Sequence, residues 1–162
     1  MATHFILGIS PGTRYFSVVI FNRGDLIEYR IKYLKGKWSK TKLVKTAKYL
    51  SGVYDRYRFN LVLLRMPPDL YCNDHLKLII TEVQAFAEQH HITLIKYPHA
   101  KLENHLKNVN GQSKLSLTEK LFTLYPELNF KYLNRSMSDR REVLKISEAI
   151  SVVLMYLKGI NQ

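Results

Sequence analysis

The stretch ILGISPGTRYFSVVIF, residues 6–21, contains two apolar runs separated by Pro11 and Gly12. Proline followed by glycine is a turn signal, and the β-branched and aromatic residues on either side of it are typical of strands. The stretch therefore predicts a β-hairpin in which Ser10 is the last residue of the first strand.

The same hairpin contains G-I-S-P-G at residues 8–12, which fits the G-x-S-x-G pattern around a hydrolase nucleophile. That motif requires a helix after the serine, and a backbone N–H on the next residue that helps to bind the oxyanion. Here the next residue is Pro11, which has no N–H, and the pattern that follows is that of a strand. We therefore do not expect Ser10 to act as a nucleophile.

The rest of the chain changes between strand and helix patterns. Residues 26–34 place apolar or aromatic side chains at every second position, as a third strand would, and helical spacing begins after Ser39. The later predicted elements are strands at 60–66 and 92–97, helices at 74–90 and from about 139 to 157, and short helical segments around 100–107 and 113–124. This order predicts one α/β domain over residues 1–162. Its mixed five-stranded sheet is an antiparallel meander followed by parallel strands, with helices on both faces.

The charge balance indicates a polyanionic partner. The 162 residues include 25 Lys and Arg against 13 Asp and Glu, which gives a formal net charge of +12. Such a field favours nucleic acid as the partner. A single cysteine, Cys72, excludes an intramolecular disulfide and a cysteine-rich metal site. We find no signal peptide and no apolar run of membrane-spanning length, so a cytoplasmic location without a membrane partner is expected.

Two basic regions are candidates for contact with nucleic acid. Residues 29–58 hold ten Lys or Arg and one acid, with tyrosines and Trp38 interleaved. Cations neutralise phosphates and aromatic rings stack on bases. The alternative is that the lysines form a solvated face and the tyrosines pack in the core. The candidates are Lys37, Trp38, Lys40, Lys42 and Lys45 in this region, and Lys101, Lys107 and Lys114 in the second, which runs from Lys96 to Lys120 and includes His99.

Four stretches in this order resemble the RuvC-type Holliday junction resolvases, which have a ribonuclease H-like fold. They are the opening hairpin, NLVLLRMPP (60–68), YPHAKLENHLKNVNGQSKLSLTEKL (97–121) and KISEAISVVLMYL (145–157). The resemblance implies a protein that binds branched or structured DNA as a homodimer. It also makes Lys114 the expected phosphate contact in the third stretch.

The resemblance also locates a site, and the sequence departs from the family there. The family carries catalytic acids where this chain has Ser10, Arg65, Lys145 and Glu148, so only Glu148 is acidic. Phosphodiester cleavage with two metal ions needs clustered carboxylates as ligands. We therefore expect a degenerate centre with no metal or other cofactor, in which Glu148 pairs with Arg65 if the fold brings them together. Simple decay of the site and a retained phosphate contact remain equally open.

Two other functions fit the same sequence. An active crossover junction endodeoxyribonuclease could hold Mg²⁺ at a displaced set formed by Glu148 with Glu142, Asp139 or Asp69. Alternatively, the chain could be a protein-interaction module that keeps only the fold.

Overall fold

A computed structural model describes residues 4–102 and 137–160 of the chain. The strands are β1 (Phe5–Ser10), β2 (Tyr15–Asn22), β3 (Asp25–Tyr33), β4 (Leu61–Arg65) and β5 (Thr93–Tyr97). The helices are α1 (Thr41–Tyr57), α2 (Asp74–Gln89) and α3 (Met137–Ile160), with a short 3₁₀ turn at Asp69–Tyr71. Residues 99–102 are also helical, whereas the predicted helical segment at 113–124 lies outside the described residues.

The five strands form one mixed sheet in the order β3-β2-β1-β4-β5. β1, β2 and β3 are an antiparallel meander, β4 runs parallel to β1, and β5 runs parallel to β4. The predicted α/β class and the predicted hairpin, with Ser10 ending its first strand, are confirmed. Among the described strands, β3 lies at one edge of the sheet and β5 at the other.

The core has two halves, one on each face of the sheet. α1 and α2 bury residues such as Leu50 and Ile79 against one face, and α3 buries residues such as Ile150 against the other. β2 serves both halves because its side chains alternate: Val18 packs towards α1, and Val19 packs towards α3. The predicted placement of helices on both faces is confirmed.

Gly8 allows α3 to lie directly against β1. A Cβ at this position would be 2.7 Å from the carbonyl oxygen of Ala149 and 2.8 Å from the side chain of Val153. A Cβ atom does not come this close to an oxygen or to another carbon, so no residue with a side chain fits without moving the helix. The close approach places Glu148, the residue before Ala149, beside the end of β1.

Within residues 4–102 and 137–160, no helix is long and apolar enough to span a membrane.

Candidate functional site

The site lies where the parallel strands end. β1 and β4 are aligned with Ile9 opposite Leu64, so the next residue along each strand, Ser10 and Arg65, ends at the same edge of the sheet. Arg65 is in turn aligned with Tyr97, the last residue of β5. The carboxyl ends of parallel strands are a common place for ligand sites because loops and helix ends converge there.

A buried cluster of three side chains occupies this edge. The hydroxyl of Ser10 donates to Oε2 of Glu148 over 2.9 Å, and Nη1 of Arg65 lies 3.0 Å from the same oxygen. All three residues are at least nine-tenths buried. The pairing of Arg65 with Glu148 that the sequence predicts is therefore confirmed, and Ser10 is a further donor to the same carboxylate.

Lys145 joins the cluster from one turn earlier on α3, because residues three apart share a helix face. Its ammonium donates to the carbonyl oxygen of Pro11 in the hairpin turn. Its own backbone carbonyl accepts a 2.7 Å hydrogen bond from the hydroxyl of Ser17 on β2. These two bonds fix the hairpin to the helix, so all four positions that the resemblance assigns to catalytic acids come together.

His99 completes the surroundings of Arg65. Its Nδ1 lies 3.1 Å from Nη2 of Arg65. Nε of Arg65 is buried and has no hydrogen-bond partner within the described part of the chain. Sequence reasoning placed His99 only in the second basic region and missed its contact with Arg65. The signal was its position two residues after the end of β5, at the edge where Arg65 also lies.

The cluster does not fit a magnesium ion. Mg²⁺ needs several anionic oxygen ligands, but Glu148 is the only carboxylate at the four positions, and one of its oxygens already bonds to Ser10 and Arg65. Arg65 and Lys145 would repel a divalent cation. In the described ranges, no three His, Cys, Asp or Glu side chains lie close enough together to hold a metal.

The acids proposed for a displaced metal set do not assemble in the described residues. Glu142 accepts a hydrogen bond from the hydroxyl of Tyr33, on the edge strand β3. Asp69 is exposed in the 3₁₀ turn after β4. The side chain of Asp139 lies outside the described residues. Glu148 is therefore not joined by Glu142 or Asp69 in a common set of ligands.

A cleft of about 560 Å³ opens at the cluster. Arg14, Arg65, Lys145 and His99 line it together with neutral residues, and its described lining contains no Asp or Glu. Tyr15 also lines the cleft, and burial raises the pKa of its phenol, which therefore stays neutral at physiological pH. The described lining is positive because Arg14 and Lys145 add their charges to an Arg65–Glu148 pair that is neutral overall.

The other predicted contacts fall in three groups. Lys37, Lys40, Lys45 and Lys101 are exposed, as a role in binding requires. Trp38 is half-buried, and its ring stacks on that of His75 with centroids 4.3 Å apart. Lys107 and Lys114 lie outside the described residues.

Lys42 requires a correction, because it does not lie on the exposed face of α1. Only 4% of its surface is accessible, and its ammonium donates to the carbonyl oxygen of Thr13 over 3.0 Å. Lys42, Thr46 and Leu50 are spaced by four residues and form the buried face of the helix. Lys42 holds the hairpin turn rather than facing a ligand in solvent.

Solved structures show which proteins share this fold, although neither protein-family models nor curated protein sequences match the chain. RuvC from Thermus thermophilus is 12% identical with a TM-score of 0.64, and the alignment covers 93% of this chain and 96% of RuvC. The yeast mitochondrial Holliday junction resolvase is 10% identical with a TM-score of 0.68, covering 91% of this chain and 75% of the other. The fold is that of RuvC and related resolvases.

Structures of such resolvases with DNA are also similar. Fowlpox virus resolvase in complex with substrate Holliday junction DNA is 14% identical to this chain, with a TM-score of 0.59. The alignment covers 98% of this chain and 99% of the viral protein. In this RuvC-like fold, the four positions that the sequence resemblance assigns to catalytic acids hold a buried Ser10–Glu148–Arg65 cluster with Lys145 beside it.

Proposed function

We propose that this protein is a non-catalytic relative of the Holliday junction resolvases that binds branched DNA. The observation that carries the proposal is the charge of the cleft at the ends of β1 and β4. Arg14, Arg65 and Lys145 line it, and no acid does so among the described residues. A cleft of this sign attracts phosphates and repels the metal ions that a nuclease needs.

The contacts of Glu148 support the proposed loss of catalysis. Two-metal cleavage requires carboxylates that hold two metal ions, and the ions stabilise the attacking and the leaving oxygen. Glu148 is buried, accepts from Ser10 and is paired with Arg65. A metal ion at this carboxylate would compete with Arg65 for its negative charge, which would weaken the compensation of the buried guanidinium.

Phosphate binding falls mainly to Arg14 and Lys145. Arg65, which lines the cleft, is held by Glu148 and His99, whereas Arg14 is exposed and the half-buried Lys145 brings its ammonium beside the carbonyl oxygen of Pro11. A guanidinium can bind a phosphate through two parallel N–H···O bonds, and an ammonium adds a point charge. The proposed role of Arg65 is to neutralise Glu148, so that the cleft stays positive.

The proposal includes a homodimer, which the resemblance to junction resolvases implies. A four-way junction is a symmetric ligand, and a two-fold symmetric pair of identical clefts matches it. Sedimentation equilibrium of the protein with and without a four-way junction tests this part. A complex that holds two chains per junction is expected, and a complex with one chain at saturation would contradict it.

The experiment is a fluorescence-anisotropy titration of a labelled four-way junction in EDTA, so that no metal can contribute. Arg14→Gln/Lys145→Gln removes two charges from the cleft. Arg23→Gln/Lys158→Gln removes two exposed charges elsewhere, since Arg23 lies in the turn at the opposite end of the sheet and Lys158 in the last turn of α3.

We expect the wild type to bind the junction without metal and to prefer it to a linear duplex. The cleft variant should bind more weakly and should reduce the slope of log K against log salt by about 1 for each phosphate that it no longer neutralises. The salt slope of the control variant should differ from that of the wild type by less than about 0.5. Absence of junction binding at low salt, or equal losses of affinity in the two variants, would refute the proposal.

A further inference from the structure

We propose that a groove between β3 and α1 is a second nucleic-acid site, distinct from the cleft, and that it takes a single strand. The groove has a volume of about 840 Å³. It lies along β3, which is an edge strand of the sheet. Val18 and Ile20 of β2 line its base and are almost fully buried. This position is on the α1 side of the sheet, whereas Glu148 and Lys145 come from α3 on the other side.

Cations line both walls of the groove. The wall formed by β3 and the residues after it carries three, and the wall formed by α1 carries three more. They are Arg30, Lys32, Lys35, Lys45, Lys48 and Arg56. The one acid in the described lining is Glu28, which accepts hydrogen bonds from Arg30 and Tyr57. The described lining of the groove therefore carries a large excess of positive charge. Because acids on the walls do not balance it, a polyanion is the complementary ligand.

Two aromatic side chains of the groove, Tyr49 and Tyr57, stay neutral and face cations. Burial raises the pKa of Tyr49 to about 12, and burial together with the carboxylate of Glu28 raises the pKa of Tyr57. Nζ of Lys32 lies 5.6 Å from the ring centroid of Tyr49, and the guanidinium carbon of Arg56 lies 5.5 Å from that of Tyr57. Rings that alternate with cations are the pattern that binds single strands, because bases stack on the rings while phosphates meet the cations.

The aromatic lining favours a single strand over a duplex. The walls are α1 and the edge strand β3, and the rings of Tyr49 and Tyr57 lie beside cations between them. A duplex keeps its bases paired and stacked on one another, whereas the bases of an unpaired strand can stack on aromatic side chains.

A third cleft connects the groove to the site on the parallel strands. It measures about 610 Å³, shares Thr13 and Arg14 with the cleft at Arg65, and shares Lys35 with the groove. Lys37 also lines this passage. An unpaired strand that leaves a branch point at the cleft would thus meet cations continuously as far as Arg56.

The test compares an oligo-dT of about 15 nucleotides with a duplex of equal length, both fluorescein-labelled. Lys45→Gln/Lys48→Gln removes two exposed charges from the α1 wall. Arg23→Gln/Lys158→Gln is the matched control. We expect the groove variant to bind oligo-dT about tenfold more weakly and to lower its salt slope by about 0.7 for each phosphate that is no longer neutralised, with little change for the control.

Crosslinking gives a second readout that does not depend on the variants. Ultraviolet irradiation of the wild type with an oligonucleotide that contains 5-iodo-deoxyuridine should attach the strand to peptides that include Tyr49 or Tyr57.

The inference fails if the groove variant and the control lose equal affinity, if the duplex depends on Lys45 and Lys48 as strongly as oligo-dT does, or if crosslinks avoid both tyrosines. It also fails if polyglutamate displaces oligo-dT at equal charge concentration. Because these readouts do not involve Arg14→Gln/Lys145→Gln, their failure would leave the proposed junction binding standing.

Discussion

At the scale of single residues, Arg65 determines the character of the site. Its guanidinium is buried, pairs with Glu148 and contacts His99. A buried charge is tolerated only when a partner compensates it, because desolvation costs several kcal/mol for each ion. Arg65 and Glu148 therefore depend on each other, and neither can be changed alone without a penalty.

Replacement of Arg65 by methionine should leave Glu148 as an uncompensated buried charge. We expect Arg65→Met to lower the free energy of unfolding by about 3–5 kcal/mol. Arg65→Met/Glu148→Gln should recover most of this loss, because the amide is neutral and still accepts from Ser10. Urea denaturation of the three proteins measures both quantities.

The control is Arg56→Met, which removes an arginine that is 62% exposed and lies 3.8 Å from Glu28. Exposed pairs of this kind contribute less than about 1 kcal/mol. If Arg65→Met were as stable as Arg56→Met, or if the double variant were no more stable than Arg65→Met alone, the buried ion pair would not be the structural element that we describe.

The resemblance assigned the members of this cluster, and two of them, Ser10 and Arg65, end strands that the sequence pattern predicts. The apolar runs before Ser10 and Arg65 identify two strands, and parallel pairing puts their ends together. His99 and Lys42 could not be assigned in the same way. The contact of His99 depends on the path of the chain after β5, and the burial of Lys42 depends on which face of α1 meets the sheet. Lys42 looks like a surface residue in the sequence because it is charged. In the fold its ammonium donates to the carbonyl oxygen of Thr13, a contact that the sequence does not reveal.

At the scale of secondary-structure elements, the contact between α3 and β1 sets the position of Glu148 and Lys145. Gly8 permits this contact, since a Cβ there would lie within 2.8 Å of both Ala149 and Val153. The carbonyl of Ala149 is held in the helix and cannot move aside without displacing α3. The geometry of the site therefore depends on a glycine that is not part of it.

Gly8→Ala should lower the free energy of unfolding by about 1–3 kcal/mol, because it overpacks the interface between β1 and α3. Gly52→Ala is the matched control, since a Cβ at Gly52 in α1 would meet no atom within 4 Å. In a helix interior, alanine is favoured over glycine by about 0.5–1 kcal/mol. Thermal denaturation should therefore move the two variants in opposite directions, and a stabilised Gly8→Ala protein would contradict the close packing.

The contact between β3 and α1 makes the stability of the fold depend on pH. Burial alone would raise the pKa of Glu28, but hydrogen bonds from Tyr57 and Arg30 and the charges of Arg30 and Arg56 outweigh it, so the pKa lies below its ordinary value. Its stabilising contribution is present above the ordinary carboxyl pKa of about 4.3 and is lost as the pH falls through the lowered value.

Glu28→Gln should therefore be less stable than the wild type at pH 7, and the difference should shrink as the pH falls below about 4. Thermal melts of both proteins from pH 7 to pH 3 measure it. A difference in Tm that stayed constant over this range, or that widened in acid, would show that Glu28 does not titrate against this network.

At the scale of the whole molecule, cations outnumber acids well beyond the cleft, since the formal net charge is +12. The cleft, the connecting passage and the groove along β3 all carry cations. An extended positive surface binds nucleic acid by releasing counterions, so affinity must fall steeply with salt. The same charge pattern would be less useful to a module that only binds neutral protein surfaces.

Binding should weaken strongly between 50 and 200 mM salt, by about 10³-fold if six phosphates are neutralised. Anisotropy titrations of a four-way junction in NaCl series measure the slope, and potassium glutamate in place of chloride is a control for anion competition. An affinity that changed less than about threefold over this range would contradict a phosphate-dominated interface.

The most direct test of the central claim, that the cleft has exchanged metal binding for anion binding, is a cleavage assay. A labelled four-way junction is incubated with excess protein in Mg²⁺ or in Mn²⁺, and binding is measured in the same tubes. The junction should be bound in EDTA as well as in either metal and should remain intact in all three. Metal-dependent cleavage that disappears in Glu148→Ala would contradict the account.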